Sequence, residues 1–361
     1  MTAATFTQQL IDKKSLIDAE LKLYVASLSK ETLSMFTPDS SVAMSAYEQV
    51  LARGGKRIRG ALTMVAYEMC GGTDTDMILQ AACAIEMTHA YILTLDDIMD
   101  KSATRRGGPS AHMIIADYHK KHQLSGDSYH FGEAIAINAA TIGFHDAQLK
   151  VTNLNVANKS KLQALSLLNS ALIVTGHGQI NDIFNEVRDD VTEQSVDQVL
   201  EWKTAHYTFL NPLQFGMALA GADEKTIHAL HDYCMHAGRA FQITDDILGT
   251  FASEQEAGKS PMDDVREGKR TVLSVHALQS APNGDKNFLI TMLGNEKLTQ
   301  SEFNRCKEIF IETGALKVSQ DQAKYHVDMA KISLQHYATL FSKGGVDFLT
   351  QLVDSLLGRT A

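Results

Sequence analysis

Apolar residues recur at helical spacing along nearly the whole chain. Leu10, Ile17, Leu21, Tyr24, Val25 and Leu28 share one face of a helix over 8–30. Thr37-Pro38-Asp39-Ser40 breaks the pattern and offers Ser40 or Ser41 as the N-cap of the next helix. That helix runs through Tyr47 and Leu51 and stops at Gly54-Gly55; an apolar run from Gly60 to Cys70 stops at Gly71-Gly72. The stretch 76–100 is apolar on nearly all faces, the pattern of a central buried helix, and it ends in aspartates. A loop over 101–110 follows, then helical runs at 131–150, 160–186, 195–220, 224–250, 270–280, 301–312 and 320–357. The Gly- and Lys-rich piece 253–269 reads as a loop over a site. No fixed-period repeat, low-complexity tract or linker appears, so the pattern describes one helical domain.

Composition agrees with this. In 361 residues, 44% are apolar and only 5 prolines and 24 glycines interrupt them, which favours an all-α protein with a substantial core. The net charge of -10 argues against a nucleic-acid binder, which needs a basic surface. Cys70, Cys83, Cys234 and Cys306 form no paired motif and read as reduced thiols of a cytoplasmic protein. The N-terminus lacks the apolar run of a signal peptide, and no stretch approaches ~18 uninterrupted apolar residues, so no membrane span is expected.

The chemistry concentrates in charged clusters set on apolar helices. Asp96 and Asp100 share a helix face, with Asp97 beside them. Several carboxylates on an apolar helix are costly unless cations neutralise them, and a helix C-terminus disfavours negative charge further. Magnesium takes oxygen ligands and commonly bridges one or two carboxylates to substrate phosphates. A solvated acidic helix end is the plain alternative. Asp245-Asp246, with Gln242 one turn earlier, forms a second acidic pair on another helix. Two such clusters facing each other across a cavity hold metals between them. The cations supply the other half. Gly54-Gly55-Lys56-Arg57-Ile58-Arg59 places backbone N–H groups and three cations where a diphosphate can sit. Arg105-Arg106 follows the first acidic cluster, Lys203-Thr204 lies in a helical stretch, and Lys259 and Lys269-Arg270 border the 253–269 piece.

These motifs, in this order, resemble the trans-isoprenyl diphosphate synthases over residues 45–275. Asp96-Asp97-Ile98-Met99-Asp100 with Arg105-Arg106-Gly107 is similar to that family's first aspartate-rich motif, and Phe241-Gln242 with Asp245-Asp246 to its second. Gly54 to Arg59 resembles its isopentenyl diphosphate segment; Lys203-Thr204 and Gly258-Lys259 through Lys269-Arg270-Thr271 also match. The resemblance implies an all-α, single-domain helical bundle around a central cavity, with a helical extension over 1–45 and the synthase domain over 46–361. It implies Mg²⁺ held by Asp96, Asp100 and Asp245 and bridged to an allylic diphosphate, which Arg105, Lys203, Lys259 and Lys269 also bind. Lys56, Arg57, Arg59, His89 and Arg106 would hold isopentenyl diphosphate, and Thr204 and Gln242 would turn oxygens toward the allylic cation. Asp97 and Asp246 complete the catalytic set. The released diphosphate would accept the proton. Tyr91, five residues before Asp96, would form the cavity floor, with the small Thr88 leaving space beside its ring. C15–C20 products follow, geranylgeranyl diphosphate ahead of farnesyl diphosphate. A homodimer is implied. The usual third aspartate of the second motif is Gly249 here.

Other readings are weaker. Glu86-Met87-Thr88-His89 has the Glu-x-x-His spacing of di-iron bundles, but no second copy exists in the chain. His228, His231, Cys234 and His236 match no structural-zinc spacing. A class I terpene cyclase ionises a prenyl diphosphate but has no use for a second diphosphate site, so Lys56 to Arg59 and Arg105-Arg106 speak against it. A regulatory subunit that had lost catalysis would be expected to lack aspartates of the first motif or key cations, and these are present.

Overall fold

The computed structural model describes residues 6–252 and 260–358, and their regular structure is helical apart from one two-residue hairpin. The chain is all-α, as its periodicity predicts. α1 (Phe6–Met35) is followed by α2 (Pro38–Ala52), whose N-cap is Thr37 rather than Ser40 or Ser41: its side chain accepts the Ser40 N–H. Pro38 then occupies the first turn, where its missing N–H has no intrahelical partner anyway. The boundary expected at 45/46 falls inside α2. Ile17, Leu21 and Leu28 of α1 are buried in the same core as Leu62, Leu213 and Leu349. Fully burying a side chain of this kind contributes roughly 1.5–3 kcal/mol.

α3 (Ile58–Met69) and α4 (Thr75–Met99) come next. α4 starts from an Asp74 cap and packs against α1, α2, α3 and the later helix α6 (Ser128–Thr152). Its apolar length satisfies the requirement for crossing a membrane, but 61% of its most apolar window is buried inside the protein, as suits a core helix. After α4 the strands β1 (Thr104–Arg105) and β2 (Gly108–Pro109) pair antiparallel, Thr104 opposite Pro109. A helix that the periodicity did not reveal, α5 (Ala111–Lys121), connects this hairpin to α6. α7 (Asn158–Val187) matches its expected span closely.

The run expected as one helix over 195–220 is three segments. α8 (Glu193–Val199) passes into a π-helical segment (Leu200–Leu210) and then α9 (Asn211–Leu219). The 224–250 run is likewise divided, into α10 (Glu224–His228) and α11 (His231–Phe251). α12 (Asp263–Glu267) lies within the piece expected as loop. α13 (Val272–Ser280), α14 (Asn283–Met292), α15 (Gln300–Glu312), α16 (Ala315–His336) and α17 (Lys343–Leu357) complete the chain; α14 was not expected, and 320–357 was expected unbroken. α11 joins two cores. Tyr233 and Ala237 belong to the larger one, while Ile243 and Ile247 pack with Phe303 and Ile309 in a second.

Candidate active site

A cavity of about 980 Å³ opens between α3, α4, α7, the π segment and α11. It is at the upper end for a small-molecule site, for which 300–1,000 Å³ is roughly typical. Its depth is apolar, lined by Tyr91, Ile92, Leu95, Phe144 and Leu172, and its mouth carries two polar corners.

The first corner is acidic. The C-terminus of α4 brings Asp96 and Asp100 to the cavity, and α11 brings Asp245 and Asp246. α7 adds Asp182, which the motifs did not indicate. Two lysines thread these carboxylates together. Lys203 Nζ lies 3.3 Å from Asp96 and 2.8 Å from Asp182. Lys269 Nζ lies 3.0 Å from Asp100, 3.4 Å from Asp182 and 2.6 Å from Glu186. Burial alone would raise the Asp96 and Asp182 carboxyls, but the lysines outweigh it and hold both below the ordinary carboxylate range. Asp100 is raised, by burial and by the neighbouring Asp96. Both ammonium groups are held up, the surrounding carboxylates overcoming their desolvation.

The π segment sets Lys203 and Thr204 here because its neighbours allow close approach. A Cβ at Gly178 of α7 would stand 2.5 Å from the Lys203 backbone N, and one at Gly238 of α11 2.3 Å from Ala205 Cα. π-helical turns are frequent at functional sites. Thr204 donates to Gln242 Oε1 at 2.8 Å, and Gln242 Nε2 donates to Asp246 at 2.8 Å, so Asp246 orients the amide above the apolar depth.

The second corner is basic. Arg59 of α3 donates to Thr208 at 2.7 Å and to His89 Nε2 at 3.2 Å, and its guanidinium lies 4.5 Å above the Tyr207 ring. Arg106 reaches the same His89 nitrogen at 3.5 Å and donates to the Gly54 carbonyl. A guanidinium only donates, so His89 Nε2 accepts and Nδ1 bears the proton. Burial and the surrounding arginines hold this imidazole neutral, far below its ordinary range. Arg106 is itself pulled down to about 10 by burial and by Arg57. His89 Nδ1, Arg59 Nε and the Tyr207 hydroxyl are buried polar atoms with no hydrogen-bond partner in the structure. Such atoms are rare and call for an explanation, and three around one corner suit a polar ligand. Lys56 borders this corner and is exposed.

Tyr91 and Phe144 both line the cavity and stack on each other, ring centroids 4.8 Å apart and planes inclined by 21°. With α4 rising about 1.5 Å per residue, Tyr91 lies about 7.5 Å below Asp96.

Three expected site residues sit differently. Asp97 is fully buried and outside the cavity lining; it accepts from Arg105 Nε at 2.6 Å, so it aims Arg105, which also lies 3.6 Å from Asp96. Adjacent residues on a helix point about 100° apart, and here that step turns Asp97 into the core while Asp96 borders the cavity. Burial pushes the Asp97 carboxyl up to about 6 despite Arg105. Arg57 borders the cavity, but its guanidinium turns inward to Asp18, Glu86 and the Leu51 carbonyl, which removes it from the ligand-facing cations. Thr88 is buried, bonds the Ala84 carbonyl at 2.9 Å and does not line the cavity, so it leaves no space beside the Tyr91 ring. Lys259 lies outside the described residues.

Asp182, Glu186 and Tyr207 are the residues that the motifs missed. Asp182 and Glu186 stand four apart on α7 after Gln179, a polar face on a helix otherwise rich in Leu and Ile, and that face was the available signal. The residues weighed as metal ligands find separate partners. Glu86 meets Arg57, His228 meets Gln214, His231 meets Asp232, and His236 meets His326. Cys234 is fully buried. Among the described residues no three His, Cys, Asp or Glu side chains converge as a ready-made metal cage.

The chain is similar to known proteins over most of its length. The family model described as polyprenyl synthetase matches residues 40–310. The geranylgeranyl diphosphate synthase of Saccharolobus solfataricus is 32% identical over 277 residues, covering 77% of this chain and 78% of its own. The short chain isoprenyl diphosphate synthase of Methanocaldococcus jannaschii is 31% identical over 352 residues, covering 97% and 96%. Among solved structures, geranylgeranyl pyrophosphate synthase from Corynebacterium glutamicum, complexed with isoprenyl diphosphate and magnesium, superimposes with a TM-score of 0.90 at 26% identity, covering 96% of this chain and 98% of that one.

Proposed function

Since the chain belongs to the polyprenyl synthetase family, we propose that this trans-prenyltransferase condenses isopentenyl diphosphate with an allylic diphosphate to give C15–C20 products, geranylgeranyl diphosphate favoured. One observation carries the reading. Two polar corners of opposite construction, one of carboxylates and lysines and one of arginines and a neutral histidine, share the mouth of one apolar cavity closed by Tyr91 and Phe144. A single-diphosphate enzyme, such as a terpene cyclase, has no use for the second corner.

The acidic corner suits Mg²⁺. Its donors are hard carboxylate oxygens, and Mg²⁺ keeps several waters and binds through one or two carboxylates plus phosphate oxygens, so it needs no converging protein cage. Asp96, Asp100 and Asp245 would hold it, with Asp182 beside them. When bound, it neutralises charge on the departing diphosphate. Lys203, Lys269 and Arg105 bind the same diphosphate once the lysines exchange carboxylate partners for it, and their charges stabilise it as it departs. Lys259 belongs to this set by its motif alone. In the basic corner, Arg59, Arg106, Lys56 and the His89 Nδ1–H grip isopentenyl diphosphate and direct its double bond at the allylic carbon. The Thr204 and Gln242 oxygens face the developing cation. The leaving diphosphate takes the proton lost after bond formation. The chain then grows toward Tyr91.

A homodimer is supported by an exposed apolar stripe. It comprises Phe184 and Val187 on α7, 50% and 78% exposed, and Ile142 and Leu149 on α6, 51% and 57% exposed, all outside the cavity lining. Cys70, Cys83, Cys234 and Cys306 are unpaired and three of them are buried, which suits the reducing cytoplasm.

The test is to incubate the purified protein with isopentenyl diphosphate, each allylic starter and Mg²⁺, and to measure product length. Condensation to C15–C20 products is expected; no condensation with any starter overturns the reading.

A further inference from the structure

The segment Gly54 to Arg59 supplies the basic corner, yet its middle cation points away from it. Arg57 is 4% exposed and sits in the left-handed backbone region at φ +49°, a conformation that a non-glycine residue keeps only where its surroundings hold it. Every branch of its guanidinium is engaged. Nε donates to Asp18 Oδ1 at 2.8 Å, Nη1 to Glu86 Oε2 at 3.2 Å and Nη2 to the Leu51 carbonyl at 2.8 Å. The second Glu86 oxygen accepts the Gly60 N–H at 2.9 Å. That amide belongs to the first turn of α3, where N–H groups have no intrahelical acceptor, and Arg57 itself provides no side-chain cap there. Glu86 thus fixes both the cation and the helix start that follows it.

Lys56 precedes Arg57 and Arg59 follows two residues later. Whatever pins Arg57 therefore sets the direction from which both enter the corner. Asp18 is the distant member of this network. It lies on α1, which among the described residues meets Arg57 in an ion pair through Asp18, and Lys14 one turn earlier also pairs with it.

We propose that Asp18, acting through Arg57 together with Glu86, is a positioning residue for the second diphosphate site, so that α1 is a working part of isopentenyl diphosphate binding. This rests on the prenyl-transfer reading above. Charge-assisted hydrogen bonds from a buried guanidinium are rigid and directional, and loss of one partner frees the φ-positive turn to relax.

Asp18→Asn tests it, with both substrates varied at steady state. The KM for isopentenyl diphosphate should rise about five- to tenfold, the scale of replacing a charge-assisted hydrogen bond by one to a neutral acceptor. The KM for the allylic diphosphate and the kcat should change much less, and Asp18→Glu should recover most of the loss. A merely structural role would lower the active fraction, and with it kcat, leaving both KM values in place. An unchanged KM for isopentenyl diphosphate, or the same factor on both KM values, overturns the proposal. Should Asp18→Asn not fold, Glu86→Gln reads the network from the other side of Arg57, because the amide oxygen still accepts from Gly60. A selective rise in the same KM supports the proposal and its absence overturns it. Wild-type protein that condenses no starter would instead overturn the prenyl-transfer reading, so the two failures are distinguishable.

Discussion

At the acidic corner, Asp96, Asp100, Asp182 and Glu186 surround Lys203 and Lys269, and each lysine contacts more than one carboxylate. At the basic corner, Arg59 and Arg106 lean on a neutral histidine, a hydroxyl, an aromatic face and a backbone carbonyl. The difference lies in how each holds its charge. Lysine is a compact point charge on a flexible stem, so the acidic corner can exchange its internal ion pairs for a metal and a diphosphate. Arginine is a planar fork, and here its orientation is set by neutral groups that do not compete for its charge. The first corner is built to rearrange and the second to stay in place.

The largest expected effect tests the rearranging corner. Asp96→Ala should lower kcat at least about 10³-fold, the upper range for losing one preorganised electrostatic group. Full activity in single-turnover assays would remove Asp96 from the metal-holding set. Next, Arg59→Ala should raise the KM for isopentenyl diphosphate roughly ten- to hundredfold, since hydrogen bonds to charged groups contribute about 1.5–3 kcal/mol. The allylic KM should barely move, and a parallel rise in both would erase the distinction between corners. Asp182→Asn should cost about tenfold in kcat/KM for the allylic substrate, one shared acceptor of two lysines being weakened. Measuring that loss across Mg²⁺ concentrations shows whether Asp182 acts with the metal or only with Lys203 and Lys269. The smallest effect on rate belongs to Tyr91→Ala. It removes a ring pair contributing about 0.5–1.5 kcal/mol but should lengthen the product by at least one isoprene unit, read by chromatography of the dephosphorylated alcohols. Unchanged product length would move the floor elsewhere.

The motifs mark Asp96, Asp100, Lys203, Gln242, Lys269 and Arg59, all of which border one cavity, because chemistry at short spacing on apolar helices is visible along the chain; His89 joins them through the family resemblance. Asp182 escaped because the polar face it shares with Gln179 and Glu186 carries no adjacent acidic pair and reads as an ordinary solvated helix face. The π segment escaped because one register change over 200–210 leaves the apolar pattern close to that of an ordinary helix. Arg57 looked like its neighbours Lys56 and Arg59, since side-chain direction at a φ-positive residue depends on what surrounds it.

The helical class, the buried α4 and the types of charge that meet at its end are legible in the chain, because periodicity and composition act locally and each helix buries its apolar face wherever it packs. Packing settled which charges border the cavity. Asp97 and Arg57 carry the same functional groups as Asp96 and Arg59, but one aims Arg105 and the other joins Asp18 to Glu86. That assignment depends on partners far apart in the chain, and burying a charge is tolerable only where such a partner has been brought to meet it.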